Sequence, residues 1–301
     1  MPNILKKYIL RWFLIFSIFS FFISFLFFYL FPRFLSRRLA QIPKEQISQK
    51  YNPDFQIHFA NTSKLNIVPA KNENFNYSEF VAKSIKQAES SVDMAMYSFN
   101  SKLVSQTIED AAQKGVVVNI LIDPTHTKEV LALFPSKNPN IHIFPMENPE
   151  VFSKHSGSMH HKFLVIDKLK KPRLILSSLN LTDIQNENDI GFVLESGNPD
   201  LIKSYSQEFD RLKSGFWGLK KFLAPEYAPY SKLITFSQGN MEIWWSPGKS
   251  GNAVNTRTLD LINSAQSNIK VICWQITSKD IMKALTKKAK KGVLVQVITD
   301  S

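Results

Sequence analysis

An internal repeat constrains the fold of this chain more than any other feature of its sequence. Residues 85–123 align without a gap on residues 262–300 at a constant offset of 177 positions, and eleven of the thirty-nine aligned pairs are identical. Self-similarity at a fixed offset is the sequence signature of a duplicated structural unit. Both copies contain the same Lys-Gly-Val step, at Lys114–Val116 and Lys291–Val293, before an apolar run that ends in aspartate. The repeat therefore predicts two related units in one chain.

Each copy has the pattern of a strand, a helix and a second strand. In the first copy, Val92–Phe99 alternates apolar and polar residues, which is typical of a strand. Apolar residues then recur at helical spacing from Leu103 to Ala111, and Gly115 marks the expected helix end. Val116–Ile122 is a nearly continuous apolar run, as in a buried strand. This alternation predicts α/β layers in which helices pack on a sheet.

The residues with the clearest chemical implication flank a short apolar run, Phe163–Ile166. His160 and Lys162 lie at its start, and because side chains alternate along a strand, both point to the same side. Asn180 follows a second apolar run, Leu174–Leu176, so two adjacent strands would bring these three side chains to one end of a sheet. Such a set suits a phosphate that is held while imidazole attacks it. The alternative is that these polar residues form only the solvated entry of a buried strand.

The same residues resemble the signature of the phospholipase D superfamily, H-x-K-x4-D followed by G-S-x-N. Five positions match this signature: His160, Lys162, Asp167, Ser178 and Asn180. Ser177 stands where the family usually has glycine, which puts the local backbone geometry in question. Further along the chain, Asp189 lies where the family carries an acidic residue, more often glutamate.

The resemblance implies an α/β fold of two related lobes, each a mixed sheet with helices on both faces. It also implies phosphodiester cleavage or transfer through a phosphohistidine, in which His160 is the nucleophile and Lys162 is catalytic and binds the phosphate. Ser178 and Asn180 would bind the phosphate as well. Asp167 completes the catalytic motif and is expected to orient it, and Asp189 would support the site. The family chemistry needs no metal or other cofactor.

His161 has a different expected role from its neighbour. By strand alternation it points to the opposite side from His160, and we expect it to be structural.

A second copy of the motif is expected from the repeat. Displaced by the repeat offset, its histidine and asparagine would fall near positions 337 and 357, beyond Ser301. The expectation is that these 301 residues are one part of a longer protein whose second lobe completes the site. Two alternatives stay open if the protein ends at Ser301: a homodimer that completes the site, and a catalytically inactive, membrane-anchored binding protein.

The N-terminal region predicts a membrane anchor. Trp12–Phe31 is a run of twenty residues without a charge, long enough to cross a hydrocarbon core as one helix. A secretory signal peptide is the alternative, but the Pro32–Arg38 segment that follows offers no small-x-small cleavage site. Basic residues are nearly balanced on the two sides, and we expect the catalytic region to lie outside the cytoplasm.

The net charge narrows the class of partner, and the single cysteine excludes an internal disulfide. A formal net charge of +12 favours polyanionic partners, either phospholipid headgroups or nucleic acid. Lys287, Lys288, Lys290 and Lys291 form a basic run that is typical of a solvated helix face. Cys273 cannot form an internal disulfide and is expected to act as a small buried apolar residue.

Together these features predict five segments: an anchor at 1–32, a tether at 33–65, a first lobe at 66–215, a connection at 216–240 and an incomplete second lobe at 241–301. The function they favour is a single-pass, membrane-anchored phosphodiesterase or phosphatidyl transferase that acts on phospholipid. An endonuclease of the same superfamily is the main alternative.

Overall fold

The computed structural model describes residues 55–61, 75–146, 158–182, 190–218, 231–236, 239–246 and 253–299. Its strands are β1 (Phe55–Asn61), β2 (Ser91–Met96), β3 (Val117–Ile122), β4 (Ile141–Pro145), β5 (Lys162–Ile166), β6 (Arg173–Ser177), β7 (Ile190–Ser196), β8 (Ser231–Phe236), β9 (Gly239–Trp244), β10 (Asn268–Cys273) and β11 (Leu294–Thr299). Its helices are α1 (Tyr77–Lys86), α2 (Lys102–Gln113), α3 (Thr127–Ala132), α4 (Pro199–Lys213), α5 (Ala253–Ser264) and α6 (Lys279–Lys290).

Seven of the strands form one mixed sheet in the order β1-β7-β6-β5-β2-β3-β4. Strands β2, β3 and β4 are parallel to one another, as expected where helices connect them. Strand β5 runs antiparallel to β2, and β5, β6, β7 and β1 continue as antiparallel neighbours. The mixed α/β sheet predicted from the sequence is confirmed.

The two faces of this sheet bury two separate apolar cores. Strand β5 contributes to both, because Leu164 and Ile166 lie in one core while Phe163 and Val165 lie in the other. Helices α1 and α2 cover the first face. Helix α4 covers the second face together with the hairpin β8–β9, and Phe209 of α4 is fully buried there. A strand that is buried on both sides must be apolar throughout, which explains the continuous apolar run of β5.

The sequence repeat is also a repeat of backbone geometry. The elements β10, α6 and β11 begin and end 177 positions after β2, α2 and β3. Both strand pairs are parallel and have the same register, with Ser91 opposite Val117 and Asn268 opposite Leu294. The glycines after the two helices, Gly115 and Gly292, have φ angles of +90° and +85°, which favour glycine. That β10–β11 opens a second lobe stays a prediction.

The structure differs from the predicted segments at two places. The tether prediction was wrong at Phe55–Asn61, because these residues form β1 and pair along their whole length with β7. The 216–240 connection is not irregular throughout, because β8 lies within it and pairs with β9. In both segments apolar and polar residues alternate, as in a strand. Whether such a segment joins a sheet depends on its partners: β1 pairs with the distant strand β7, and β8 pairs with β9 and packs with it on α4.

The predicted anchor at 1–32 lies outside the described residues. Among the ranges that the structure does describe, every helix is too short or too polar to cross a bilayer.

Candidate active site

Three strand ends meet at one edge of the seven-stranded sheet. Met96, at the end of β2, pairs with Lys162 at the start of β5, and the Tyr97 N–H donates to the His161 carbonyl at 3.0 Å. Strand β6 lies on the other side of β5 and runs antiparallel to it, so its last residues lie beside the first residues of β5. The structure therefore brings His160, Lys162 and the 177–180 segment to the same edge.

Lys162 holds the His160 ring and its backbone. The Lys162 ammonium lies 3.2 Å from His160 Nδ1 and donates to the His160 carbonyl oxygen at 3.1 Å. Lys162 is buried, with 8% of its surface exposed, whereas His160 is exposed. A buried cation beside an accessible imidazole is an arrangement that can bind a phosphate next to a nucleophile.

The surroundings of His160 favour the uncharged imidazole. Desolvation by the neighbouring groups lowers the pKa of His160, the positive charge of Lys162 lowers it further, and the charge of Asp123 acts in the opposite direction. A histidine attacks phosphorus only through an unprotonated nitrogen, so a lowered pKa keeps the reactive form at neutral pH.

Tyr97 forms an aromatic wall beside this pair. Its ring centroid lies 4.5 Å from that of His160 and 4.8 Å from that of His126, and Lys162 Nζ lies 5.5 Å from its centre. From the sequence, Tyr97 was assigned only to the strand pattern Val92–Phe99, and His126 was given no role. The available signal was the position of Tyr97 directly after β2, next to the strand that carries the motif.

Asp123 fixes the segment that leads into His160. It is buried at the end of β3, where its Oδ1 accepts from Thr125 and its Oδ2 accepts from the Met159 N–H at 2.8 Å. Because Met159 precedes His160, this contact anchors the backbone of the predicted nucleophile to β3. Sequence reasoning missed this role.

Asp167 lies at the far end of β5 from His160, in keeping with the orienting role expected for it. Asp167 follows the last residue of β5, whereas His160 precedes the first, so a strand about 20 Å long separates them. The Asp167 carboxylate accepts from the N–H groups of Glu89, Ser90 and Ser91 at 2.7–3.1 Å and from the Ser90 hydroxyl. It thus joins the end of β5 to the start of β2 and does not face the phosphate edge.

The hydrogen bonds also set the charge state of Asp167. Burial alone would raise its pKa, but the three N–H groups and the Ser90 hydroxyl outweigh burial and hold the pKa below its usual value. The residue has a positive φ of 52°, a conformation that aspartate tolerates better than most residues.

The 177–180 segment forms a compact turn at the edge. Ser177 Oγ accepts from the Leu179 N–H at 2.8 Å, and Ser178 Oγ accepts from the Phe192 N–H at 3.0 Å. Ser178 is exposed and Asn180 is buried. Among the described residues, Lys137 and Asp167 are the non-glycine residues with positive φ. Ser177 therefore occupies the family's glycine position without backbone strain.

Gly191 allows β7 to approach this turn closely. A Cβ atom at this position would lie 2.5 Å from the Leu179 side chain and 2.6 Å from Ser178 Oγ. Such distances are far below van der Waals contact, so any side chain at position 191 would displace the turn. The sequence offered no signal for this constraint beyond the glycine itself.

His161 packs on the opposite face, as its place in the strand predicts. Its Nε2 lies 3.2 Å from the carboxylate of Glu208, a fully buried residue of α4 that also pairs with Arg211. Trp245 packs against the His161 ring with 5.8 Å between centroids. This cluster ties the motif strand to α4 and to the chain after β9.

Two expectations from the sequence stay predictions: the supporting role of Asp189, and a site that needs no metal. Asp189 lies outside the described residues, so its supporting role stays a prediction. In the ranges described, no three histidine, cysteine, aspartate or glutamate side chains come together in a way that could hold a metal ion.

Comparisons with known proteins agree with this geometry. The family model described as "Cardiolipin synthase, PLD-like domain" matches residues 81–213 and 258–301, more than half of the chain. A phospholipase D of Rickettsia felis is 25% identical over 177 residues, covering 52% of this chain and 84% of that protein. The human mitochondrial cardiolipin hydrolase is 26% identical over 137 residues, covering 44% of this chain and 50% of that protein.

A solved structure supports the fold independently. The phosphatidylserine synthase of Haemophilus influenzae superposes with a TM-score of 0.53 and 13% identity, covering 81% of this chain and 61% of that one. The family match spans the strands and helices that build the His160 edge and continues into the second copy of the repeat. On this evidence the chain belongs to the phospholipase D superfamily.

Proposed function

We propose that this protein cleaves or transfers phosphodiesters of phospholipids through a covalent phosphohistidine at His160. The observation that carries the proposal is the contact between Lys162 Nζ and His160 Nδ1 at 3.2 Å, with the pKa of His160 lowered. This contact supports the proposal, because it would set an uncharged nucleophile beside a cation that can neutralise a non-bridging phosphate oxygen.

The proposed reaction begins with a change of partner for Lys162. An uncharged His160 that accepts from Lys162 at Nδ1 carries its proton on Nε2. When a phosphate binds, Lys162 turns towards its oxygens, and Nδ1 can then hold the ring proton. Nε2 becomes the nucleophile, and Tyr97 keeps the ring in place.

The chemistry then proceeds in two displacements. His160 Nε2 forms a bond to phosphorus, and the bond from phosphorus to the leaving oxygen breaks while that oxygen takes a proton from an acid. The family resemblance assigns this acid to the histidine of a second motif. Water or an alcohol next attacks phosphorus and gives its proton to that second histidine, while the P–N bond breaks and His160 is regenerated.

The substrate class rests on the relatives and on the N-terminal sequence. The matched relatives are a phospholipase D and a cardiolipin hydrolase, and both names denote action on lipid. We propose as well that Trp12–Phe31 anchors the protein in a membrane and keeps the site near headgroups. Resistance of the full chain to extraction from membranes by carbonate tests the anchor separately.

Replacement of His160 tests the reaction. His160→Asn should lower turnover of phospholipid vesicles by about 1,000-fold or more, as expected for loss of a covalent nucleophile. The control is His142→Asn, which changes an exposed histidine on β4. An acid-labile phosphoryl adduct on His160, found by mass spectrometry after rapid quenching, would identify the intermediate. Hydrolysis of single-stranded DNA but not of phospholipid would replace the lipid proposal with a nuclease.

A further inference from the structure

Helix α6 carries a continuous basic surface that lies apart from the His160 edge. Five lysines share this surface, which we call the α6 basic face: Lys279, Lys283, Lys287, Lys290 and Lys291. All five are exposed, whereas Ala284 and Leu285 on the opposite side of the helix are buried against the β10–β11 sheet. Within the described residues, none of the five makes an ion pair or a side-chain hydrogen bond.

The first copy of the repeat shows that the fold does not require this charge. Residues 102–114, the counterpart of 279–291, contain two lysines and two acidic residues, whereas 279–291 contain six lysines and one aspartate. In α2 the equivalent polar side chains satisfy one another, since Gln106 donates to Asp110 at 3.0 Å. The same backbone is therefore stable with a net charge of +1 at the five equivalent positions, compared with +5 on the α6 basic face.

The first copy also shows that this face is directed to solvent. Helix α2 belongs to a sheet that is packed on both faces, and it still exposes four of the five equivalent positions, Lys102, Gln106, Gln113 and Lys114. The fifth, Asp110, is half-buried. The positions of the α6 basic face are thus accessible in either copy of the unit.

Local stability explains only part of the lysine array, because the helix dipole favours Lys287 and Lys290 in the last turn. Lys279, Lys283, Lys287 and Lys291 follow one another at i, i+4 spacing, where like charges destabilise a helix by about 0.2–0.5 kcal/mol per pair. Lys279 also stands at the positive end of the helix dipole, where a cation is unfavourable. A costly array of unpaired charges on a solvent face indicates an anionic partner.

We infer that the α6 basic face docks on the anionic phospholipid surface of a membrane, an inference that rests on the proposed lipid function. The face runs along a helix of about 18 Å, which suits a flat layer of headgroups. No aromatic side chain lies among its residues, whereas single-stranded nucleic acid is typically held by stacking on aromatic rings. Each lysine near such a surface strengthens binding about fivefold.

Lysine footprinting of the full chain tests the inference. The chain is bound to vesicles of phosphatidylcholine alone or of phosphatidylcholine mixed with phosphatidylglycerol, and an amine-reactive reagent labels accessible lysines for mass spectrometry. The five α6 lysines should be protected on the anionic vesicles at low salt and labelled on the neutral ones. Lys102 and Lys114 should be labelled equally on both, because a membrane anchor acts in both samples alike.

A triple variant supplies the second readout. In the triple variant Lys283→Gln/Lys287→Gln/Lys290→Gln, the equilibrium constant for docking on anionic vesicles, measured by the protection of Lys279 and Lys291, should fall about 100-fold. The matched control, Lys102→Gln/Lys114→Gln, should leave it unchanged. Equal labelling on neutral and anionic vesicles would overturn the inference, as would protection by single-stranded DNA in place of lipid. Turnover is not part of this readout, so its result is independent of the catalytic proposal.

Discussion

In the first copy of the repeat, five of the six residues of β2 are buried, whereas in the second copy none of the six residues of β10 is buried. The two copies nevertheless share helix length, strand register and the glycine turn with positive φ. Backbone geometry in this unit is therefore specified by local sequence and by the contact between one helix layer and two strands.

Chemistry, in contrast, depends on neighbours. The His160 edge exists because β5 and β6 add to the first copy and bring their ends beside Tyr97 and Asp123. In the second copy, the residues equivalent to Ala95 and Tyr97 are Ile272 and Trp274, which are 62% and 71% exposed. The reactive edge of the first copy thus depends on strands that lie outside the repeated unit.

The largest expected effect measures this difference in burial. Ile120→Ala should lower the free energy of unfolding by about 4 kcal/mol, because the side chain is fully buried in the first copy. Val297→Ala, the equivalent change in the second copy, should cost less than about 1 kcal/mol, because Val297 is 43% exposed. Denaturant titration of the 301-residue chain gives both values. Equal costs would mean that the two copies are equally packed in solution.

The next effect concerns a link that the second copy lacks. The Asp167 carboxylate accepts hydrogen bonds from the N–H groups at the start of β2, whereas no described carboxylate accepts from the equivalent N–H groups of residues 266–268. Asp167→Asn keeps a side chain that tolerates positive φ but loses the charge, and it should cost about 3 kcal/mol at neutral pH.

The pH dependence of this cost identifies its origin. Because folding lowers the pKa of Asp167, its stabilisation is complete above the unfolded pKa of about 3.9 and is lost as pH falls through the folded value. The stability difference between wild type and Asp167→Asn should therefore shrink below about pH 4. A difference that stays constant down to the acid transition would exclude the carboxylate as its source.

A smaller effect should separate activity from stability at the site. Gly191→Ala places a methyl group against Leu179 and Ser178 and should shift the 177–180 turn, lowering kcat/KM about 100-fold. Gly197→Ala is the matched control, because nothing lies within 4 Å of the added carbon. Steady-state assays on phospholipid vesicles compare the two. Full activity of Gly191→Ala would show that the turn does not position substrate.

The smallest effect should be the same in both copies. Gly115→Ala and Gly292→Ala both meet open space and a positive φ, so each should cost about 1 kcal/mol. Two similar costs in denaturant titration would support local specification of the turn. A cost in one copy alone would mean that its surroundings set the φ angle.

Sequence reasoning succeeded where the signal was local. The order of β2, α2 and β3 follows from periodicity and from Gly115, and the repeat transfers it to the second copy, although β2 ends at Met96, three residues before the predicted end at Phe99. The convergence of His160, Lys162 and Asn180 followed from two short apolar runs, because neighbouring antiparallel strands place their ends together.

It failed where the signal was long-range. Strand β1 alternates at Phe55, Ile57 and Phe59, but its partner β7 lies more than 130 residues away in the chain. The site roles of Tyr97 and Asp123 depend on which strands become neighbours. The contacts through which Asp167 acts could not be foreseen either, because they join residues more than 70 positions apart in the chain.

The clamp at Asp167 changes how a sequence carrying this motif should be assessed. Two of the three motif residues, His160 and Lys162, contact each other at the site. The third, Asp167, stabilises the fold by accepting hydrogen bonds from three backbone N–H groups. A natural sequence that keeps the first two and replaces the aspartate would retain the phosphate-handling pair, provided that another contact holds the start of β2. Such a sequence should be tested for catalysis before it is dismissed as a degenerate copy.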